Sequence, residues 1–190
     1  MEIATKKTQV FGCVGTDRLR TKIIINDETR EQVNQFTYLG CSISHKFSND
    51  VESKMAKFLQ LIGTIKRTIF RKVRTATIFK IYNTLIVPTF LYGSENWTLT
   101  ALQRRRIEGA EMKLLSPLGG YTLHDHKTKD FIRREINITG ILDKTDEYRL
   151  NWHLHLQRMP QNRIPPKSYH YRPQGRRTIG RPNKRWREQL

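Results

Sequence analysis

Residues 48–71 read SNDVESKMAKFLQLIGTIKRTIFR, and this stretch decides the fold class. Val51, Met55, Phe58, Leu59, Ile62, Ile65 and Ile69 recur every three or four positions, the spacing that gathers side chains on one face of an α-helix. Ser48 or Asn49 can cap the first turn, and Asp50 and Glu52 put negative charge at the positive end of the helix dipole. The other face is basic, with Lys54, Lys57, Lys66, Arg67 and Arg71. From Lys54 to Lys80, a span that also holds Lys72 and Arg74, there are eight cations and no acid.

Toward the C-terminus, Thr75 followed by Ile78, Phe79, Ile81, Tyr82, Leu85 and Ile86 predicts a second helix, which Pro88 kinks or ends before Phe90-Leu91-Tyr92-Gly93. Thr100 and Gln103 form a capping-box pattern ahead of Leu102, Ile107, Ala110, Met112 and Leu115, and Pro117 with Gly119-Gly120 stops that third helix. Three helices within residues 48–120 read as a small bundle. Further helices are predicted in the 121–160 region, over Lys127–Asn137 and Asp143–Met159. Toward the N-terminus, residues 9–45 show β character within a segment 1–47. Lys22–Asn26 and Gln35–Leu39, separated by the polar Asp27–Glu31, predict one hairpin. Residues 161–190 hold nine Lys and Arg, one acid and no apolar period, which predicts an extended, disordered basic tail. The expected class is therefore mainly α with a small N-terminal β-hairpin, an α+β arrangement.

The totals point to a polyanion. The 190 residues carry 35 Lys and Arg against 17 Asp and Glu, a formal charge of +18. Self-repulsion of that size is relieved by phosphates or counterions, so RNA or DNA is the leading partner and a merely soluble basic protein the plainer alternative. Two cysteines, Cys13 and Cys41, are too few for a disulfide scaffold, and an intracellular setting, nuclear or cytoplasmic, is expected. No apolar run approaches the ~18 residues of a membrane span.

Signals of catalysis are weak. Polymerase-type phosphoryl transfer needs carboxylates that converge on metal ions, whereas these acids are scattered or sit at turns and helix starts. His124-x-His126 and His153-x-His155 lack a cysteine pair at finger spacing and read as surface or packing residues. No nucleophile-elbow pattern frames Ser94, Ser116 or Cys41. No catalytic residue, metal ligand or cofactor of this chain's own is expected. In the tail, Arg176, Arg177, Arg181, Lys184 and Arg185 stand close to Trp186, a pairing that can neutralise phosphates and stack on an exposed base; a solvated tail or an import signal has the same composition.

Several of these stretches follow one another in a familiar order. Lys6-Lys7-Thr8, Phe36-Thr37-Tyr38-Leu39-Gly40, Pro88-Thr89-Phe90-Leu91-Tyr92-Gly93-Ser94-Glu95-Asn96-Trp97, Arg149-Leu150-Asn151-Trp152-His153-Leu154-His155 through Arg158-Met159, and Gly180-Arg181-Pro182 with Arg185-Trp186 are spread over nearly the whole length. In that order the chain resembles the C-terminal part of a reverse transcriptase from non-LTR, LINE-type retrotransposons. The resemblance departs at Ala4, where the family tends to have Asn, and at Leu154, where it has Gly.

That likeness implies the end of a palm in residues 1–47, with Lys7 in its last stretch and Phe36, Tyr38, Leu39 and Gly40 as a primer-grip strand. It implies a thumb in 48–120 and a post-thumb region in 121–160. The family's metal-binding palm aspartates would precede Met1, so Mg²⁺ is expected only for a complete parent enzyme. The expected function is that of a truncated reverse-transcriptase fragment, not an enzyme on its own, which holds template and primer through its phosphates. One alternative is a segment of a complete active polymerase; another is a decayed copy without a role. Contacts with nucleic acid are expected from Lys54, Lys57, Arg67, Arg71, Lys72 and Arg74 on a helix, and from Arg176, Arg177, Arg181, Lys184, Arg185 and Trp186 in the tail. Tyr38, Tyr92 and Trp97 are expected to pack rather than to stack on bases.

Overall fold

The computed structural model of the chain describes residues 8–12, 22–25, 27–44, 48–171 and 186–190. It is mainly helical, with two short antiparallel strand pairs near the N-terminus, as the periodicities predict. Two compact units divide within one helix, at Lys54 and Met55.

In the first unit, β1 (Ile24–Ile25) pairs with β2 (Glu28–Thr29), and β3 (Gln35–Tyr38) with β4 (Cys41–Ser44). The two predicted strands therefore do not pair with each other; each finds a nearer partner. For β3 the cause is local. Leu39 and Gly40 take φ of 47° and 78°, the double left-handed turn whose twist matches a two-residue hairpin, and it returns the chain onto β3 with Tyr38 opposite Cys41. Arg30 ties the first pair together, donating to the Ile25 carbonyl at 3.0 Å and to Glu28 Oε2 at 2.6 Å. Phe11 packs edge-on against Phe36 at 5.4 Å between centroids.

Helix α1 (Ser48–Thr68) opens where its sequence signals place it. In the first unit, Asp50 Oδ1 accepts from the Ser42 amide at 3.0 Å, and its other oxygen meets Lys54 Nζ at 2.9 Å. Beyond the division, Met55, Phe58, Ile62 and Ile65 are buried, whereas Leu59, assigned to the same face by spacing, is exposed.

Pro88 does not end the second helix. Helix α2 (Thr75–Ile81) passes into a π-helical turn at Tyr82–Ile86 and then into α3 (Val87–Leu91). The Val87 amide donates five residues back, to the Tyr82 carbonyl, and this widened turn comes just before the residue that has no N–H and crowds the preceding turn. Gly93, at φ 74°, then turns the chain into a 3₁₀ turn at Ser94–Asn96. Helix α4 (Ala101–Leu118) begins on the expected capping box: the Gln103 amide donates to Thr100 Oγ1 at 3.2 Å and the Thr100 amide to Gln103 Oε1 at 2.9 Å. Pro117 lies inside its last turn rather than before its end.

Helices α5 (Lys129–Glu135) and α6 (Ile141–Arg158) complete the predicted set. The core joins Phe58 to Phe90 (4.7 Å) and Phe90 to Trp97 (5.3 Å), with Ile78, Ile86, Ile107, Leu114, Leu115 and Ile141 fully enclosed. Because α6 packs on α3 and α4, the helices on either side of residue 120 share one core in the unit from Met55 onward. The tail also departs from expectation. Ile164–His170 forms a helix, α7, started by Pro165 and Pro166, whose fixed φ suits a first helical turn. Trp186–Gln189 forms a 3₁₀ turn.

Candidate nucleic-acid interface

Between Glu52 and Glu95 the sequence has no acid, and this interval carries the exposed cations Lys57, Lys66, Arg67, Arg71, Lys72, Arg74 and Lys80. Among the described residues none of the seven pairs with a carboxylate. Lys66 Nζ instead donates to the Lys113 carbonyl at 3.0 Å, at the end of α1 nearest α4. Lys57 and Arg67 lie opposite the buried stripe of α1, as expected. Arg71, Lys72 and Arg74 are not on a helix; they occupy the connection between α1 and α2, where the Lys72 amide closes a turn on the Ile69 carbonyl at 2.8 Å.

Lys54 is the exception among the helix cations expected to face a polyanion. Only 9% exposed, it pairs with Asp50 and donates to Cys41 Sγ at 3.6 Å. Its position four residues after Asp50 favours this ion pair over an outward reach.

Elsewhere Arg104, Lys129, Arg133 and Arg149 pair with acids. Lys129 meets Glu108 at 2.8 Å, and Arg104 meets Asp146 at 2.8 Å. The Asp146 bond raises the Arg104 guanidinium further above its ordinary range. Burial opposes the charge on Asp146, but the hydrogen bonds and charges of Arg104 and Arg149 outweigh it and hold the carboxyl below the usual aspartate value. Residues 57–80, by contrast, carry exposed cations with no acid interspersed among them.

The remaining sequence candidates scatter. Phe36 is half-buried against Phe11; Tyr38 is 60% exposed, Leu39 and Gly40 form the hairpin turn, and Tyr92 is exposed, so of the three aromatics expected to pack only Trp97 is in the core. Lys7, Arg176, Arg177, Arg181, Lys184 and Arg185 lie outside the described residues. Trp186 is not an unattached tail ring: its Nε1 donates to the Glu95 carbonyl at 2.6 Å. Beside it, Gln189 grips the Leu99 backbone twice, accepting from its amide at 3.1 Å and donating to its carbonyl at 3.0 Å. Arg149, 1% exposed, donates to the Trp97 carbonyl (3.2 Å), the Gln189 carbonyl (3.1 Å) and Asp146 (2.8 Å). Motifs some fifty and ninety positions apart thus meet at one buried guanidinium.

A second buried polar cluster is not foreshadowed by any motif. Glu111 on α4 is 0% exposed and accepts from Tyr82 Oη (2.8 Å), the Ile141 amide (2.9 Å) and Arg133 through Nε (3.2 Å) and a terminal nitrogen (2.6 Å). Burial pushes the Tyr82 phenol well above its ordinary range, and the Glu111 charge adds to this. Gly140 leaves room for the Arg133 guanidinium, since a Cβ there would lie 3.1 Å from Nε. The usable signal is position: Glu111 falls four residues after Ile107 and four before Leu115, on the apolar stripe, where an acid persists only if fully paired. Sealed and hydrogen-bonded on both oxygens, it is placed for structure and not for proton transfer to a substrate.

His124 and His126 are exposed, and His153 clusters with the rings of Tyr169 (5.4 Å) and Trp186 (6.4 Å). No group of three metal-ligating side chains occurs among the described residues, nor is any described helix long and apolar enough to cross a membrane.

No family model and no solved structure gives a significant match to the chain. It is similar to a Caenorhabditis elegans protein described as transposon-derived, 24% identical over 203 aligned positions that span 100% of this chain and 71% of that protein. The chain is therefore related to a transposon-derived protein.

Proposed function

We propose that this chain binds RNA or DNA through the phosphate backbone, as the thumb and post-thumb part of a LINE-type reverse transcriptase would, and that residues 57–80 make the principal contacts. The observation that carries the reading is the charge pattern: seven exposed cations in an interval without an acid, while Arg104, Lys129, Arg133 and Arg149 are held in ion pairs. Such a surface releases counterions when it meets phosphates and has little means of reading a base sequence. The ordered motifs and the likeness to a transposon-derived protein support the retroelement origin. On this reading these residues hold a template and primer and supply no catalytic group, and no metal is assigned to them.

The test is the salt dependence of binding. Replacing Lys57, Arg67, Arg71, Lys72 and Arg74 by Gln should weaken binding to RNA and DNA of any sequence. It should also flatten the plot of log K against log salt by about 0.7–0.9 for each phosphate that the variant no longer neutralises. Unchanged affinity and slope in a folded variant would refute the assignment.

A further inference from the structure

A cavity of about 440 Å³ opens between α6, α7 and the C-terminal 3₁₀ turn, remote in sequence from the cationic interval. Among the described residues its walls carry four rings, Trp152, Tyr169, Tyr171 and Trp186, and one cation, Arg187, and no acid. The rings are held in place. Trp186 is anchored to the Glu95 carbonyl, Tyr169 stands edge-on to Trp186 at 6.2 Å, and the Arg187 guanidinium lies 5.6 Å from the centre of the Tyr169 ring. Tyr171, by contrast, is 70% exposed. Asn96 and Ser168 also line it, beside the apolar Leu156 and Pro165.

We propose that this groove takes an unpaired base of a single-stranded nucleic acid, stacking it against the rings while Arg187 meets the adjoining phosphate. Every base has a π-face, so stacking on aromatic walls suits single strands of any sequence, whereas the bases of a duplex are already stacked on one another. Charge selects this occupant over an apolar peptide. The fourteen residues that join Tyr171 to Trp186 in the chain hold six Lys and Arg and no acid, so cations are tethered to both of these groove-lining rings. The inference rests on the nucleic-acid reading above and adds to it a preference for strands with free bases.

Three probes separate the two: a labelled ten-residue thymidylate, an abasic strand of equal length, and the thymidylate annealed to its complement. Fluorescence anisotropy of the full chain should show the thymidylate bound about tenfold more tightly than the abasic strand, in keeping with one stacked base. Tyr171→Ala should remove most of that preference, Tyr171→Phe should keep it, and the abasic strand should bind both variants as it binds the wild type. Equal affinity for thymidylate and abasic strand would overturn the groove assignment and leave phosphate binding standing. So would a preference that survives Tyr171→Ala together with Arg187→Gln, or tryptophan fluorescence that responds to decaproline and not to thymidylate. Failure of all three probes to bind would overturn both readings.

Discussion

Replacing Glu111 by Gln tests whether the second unit is organised around one buried carboxylate. All four groups that face it are donors: the Tyr82 hydroxyl, the Ile141 amide and two nitrogens of Arg133. An amide of the same size keeps one acceptor oxygen and turns the other corner into a donor, so at least one of these contacts becomes donor against donor. The charge of Arg133 also loses its close buried partner. Its remaining contacts are Asp130 at 3.2 Å, which is well exposed, and Glu108 at 3.9 Å, and neither compensates for a desolvated guanidinium. Breaking a buried pair from one side costs about 3–5 kcal/mol. For a chain of this size each kcal/mol moves the melting temperature by roughly 2–4 °C, so a loss of about 6–20 °C is expected. Thermal melts followed by circular dichroism measure it, with Tyr82→Phe as the control that removes a single donor and costs about 1 kcal/mol. A Glu111→Gln variant that melts within about 2 °C of the wild type would refute the reasoning.

Removing Trp186–Leu190 deletes four hydrogen bonds to Glu95, Leu99 and Arg149, and should cost about 2–4 kcal/mol in the same melts; a tail that serves only to bind phosphates would leave stability unchanged. Asp146 is held below its ordinary value in the folded state, so its share of stability is present above about pH 4 and is lost as pH falls through the lowered folded value. Asp146→Asn should therefore shallow the acid side of a stability-against-pH curve, and an identical acid limb in the variant would count against the Arg104–Asp146–Arg149 linkage.

The features legible in the sequence are those decided within one or two turns of chain. Asp50 in the first turn of α1, and Thr100 with Gln103 ahead of α4, mark helix starts through groups no more than three residues from the helix end, and the 3.6-residue recurrence of Met55, Phe58, Ile62 and Ile65 selects the buried face without reference to a partner. The excess of cations between Glu52 and Glu95 is equally a property of composition. What depended on tertiary structure is where groups distant in sequence meet. Lys54 and Lys57 look alike as letters, yet one is buried on Asp50 and Cys41 and the other is exposed. Pro88 reads as a breaker, but packing of Tyr82, Ile86, Phe90 and Leu91 favours a π turn that carries the helix past it. Trp186 reads as part of a solvated tail; only the folded chain brings the Glu95 carbonyl and the Leu99 backbone within reach of its segment, about ninety positions away. Capping and periodicity act over a few ångströms of contiguous backbone, so the sequence by itself determines the starts of α1 and α4 and the buried face of α1. The worth of a buried ion or hydrogen bond depends on which partners exclude water from it, and that is decided only when the helices have packed.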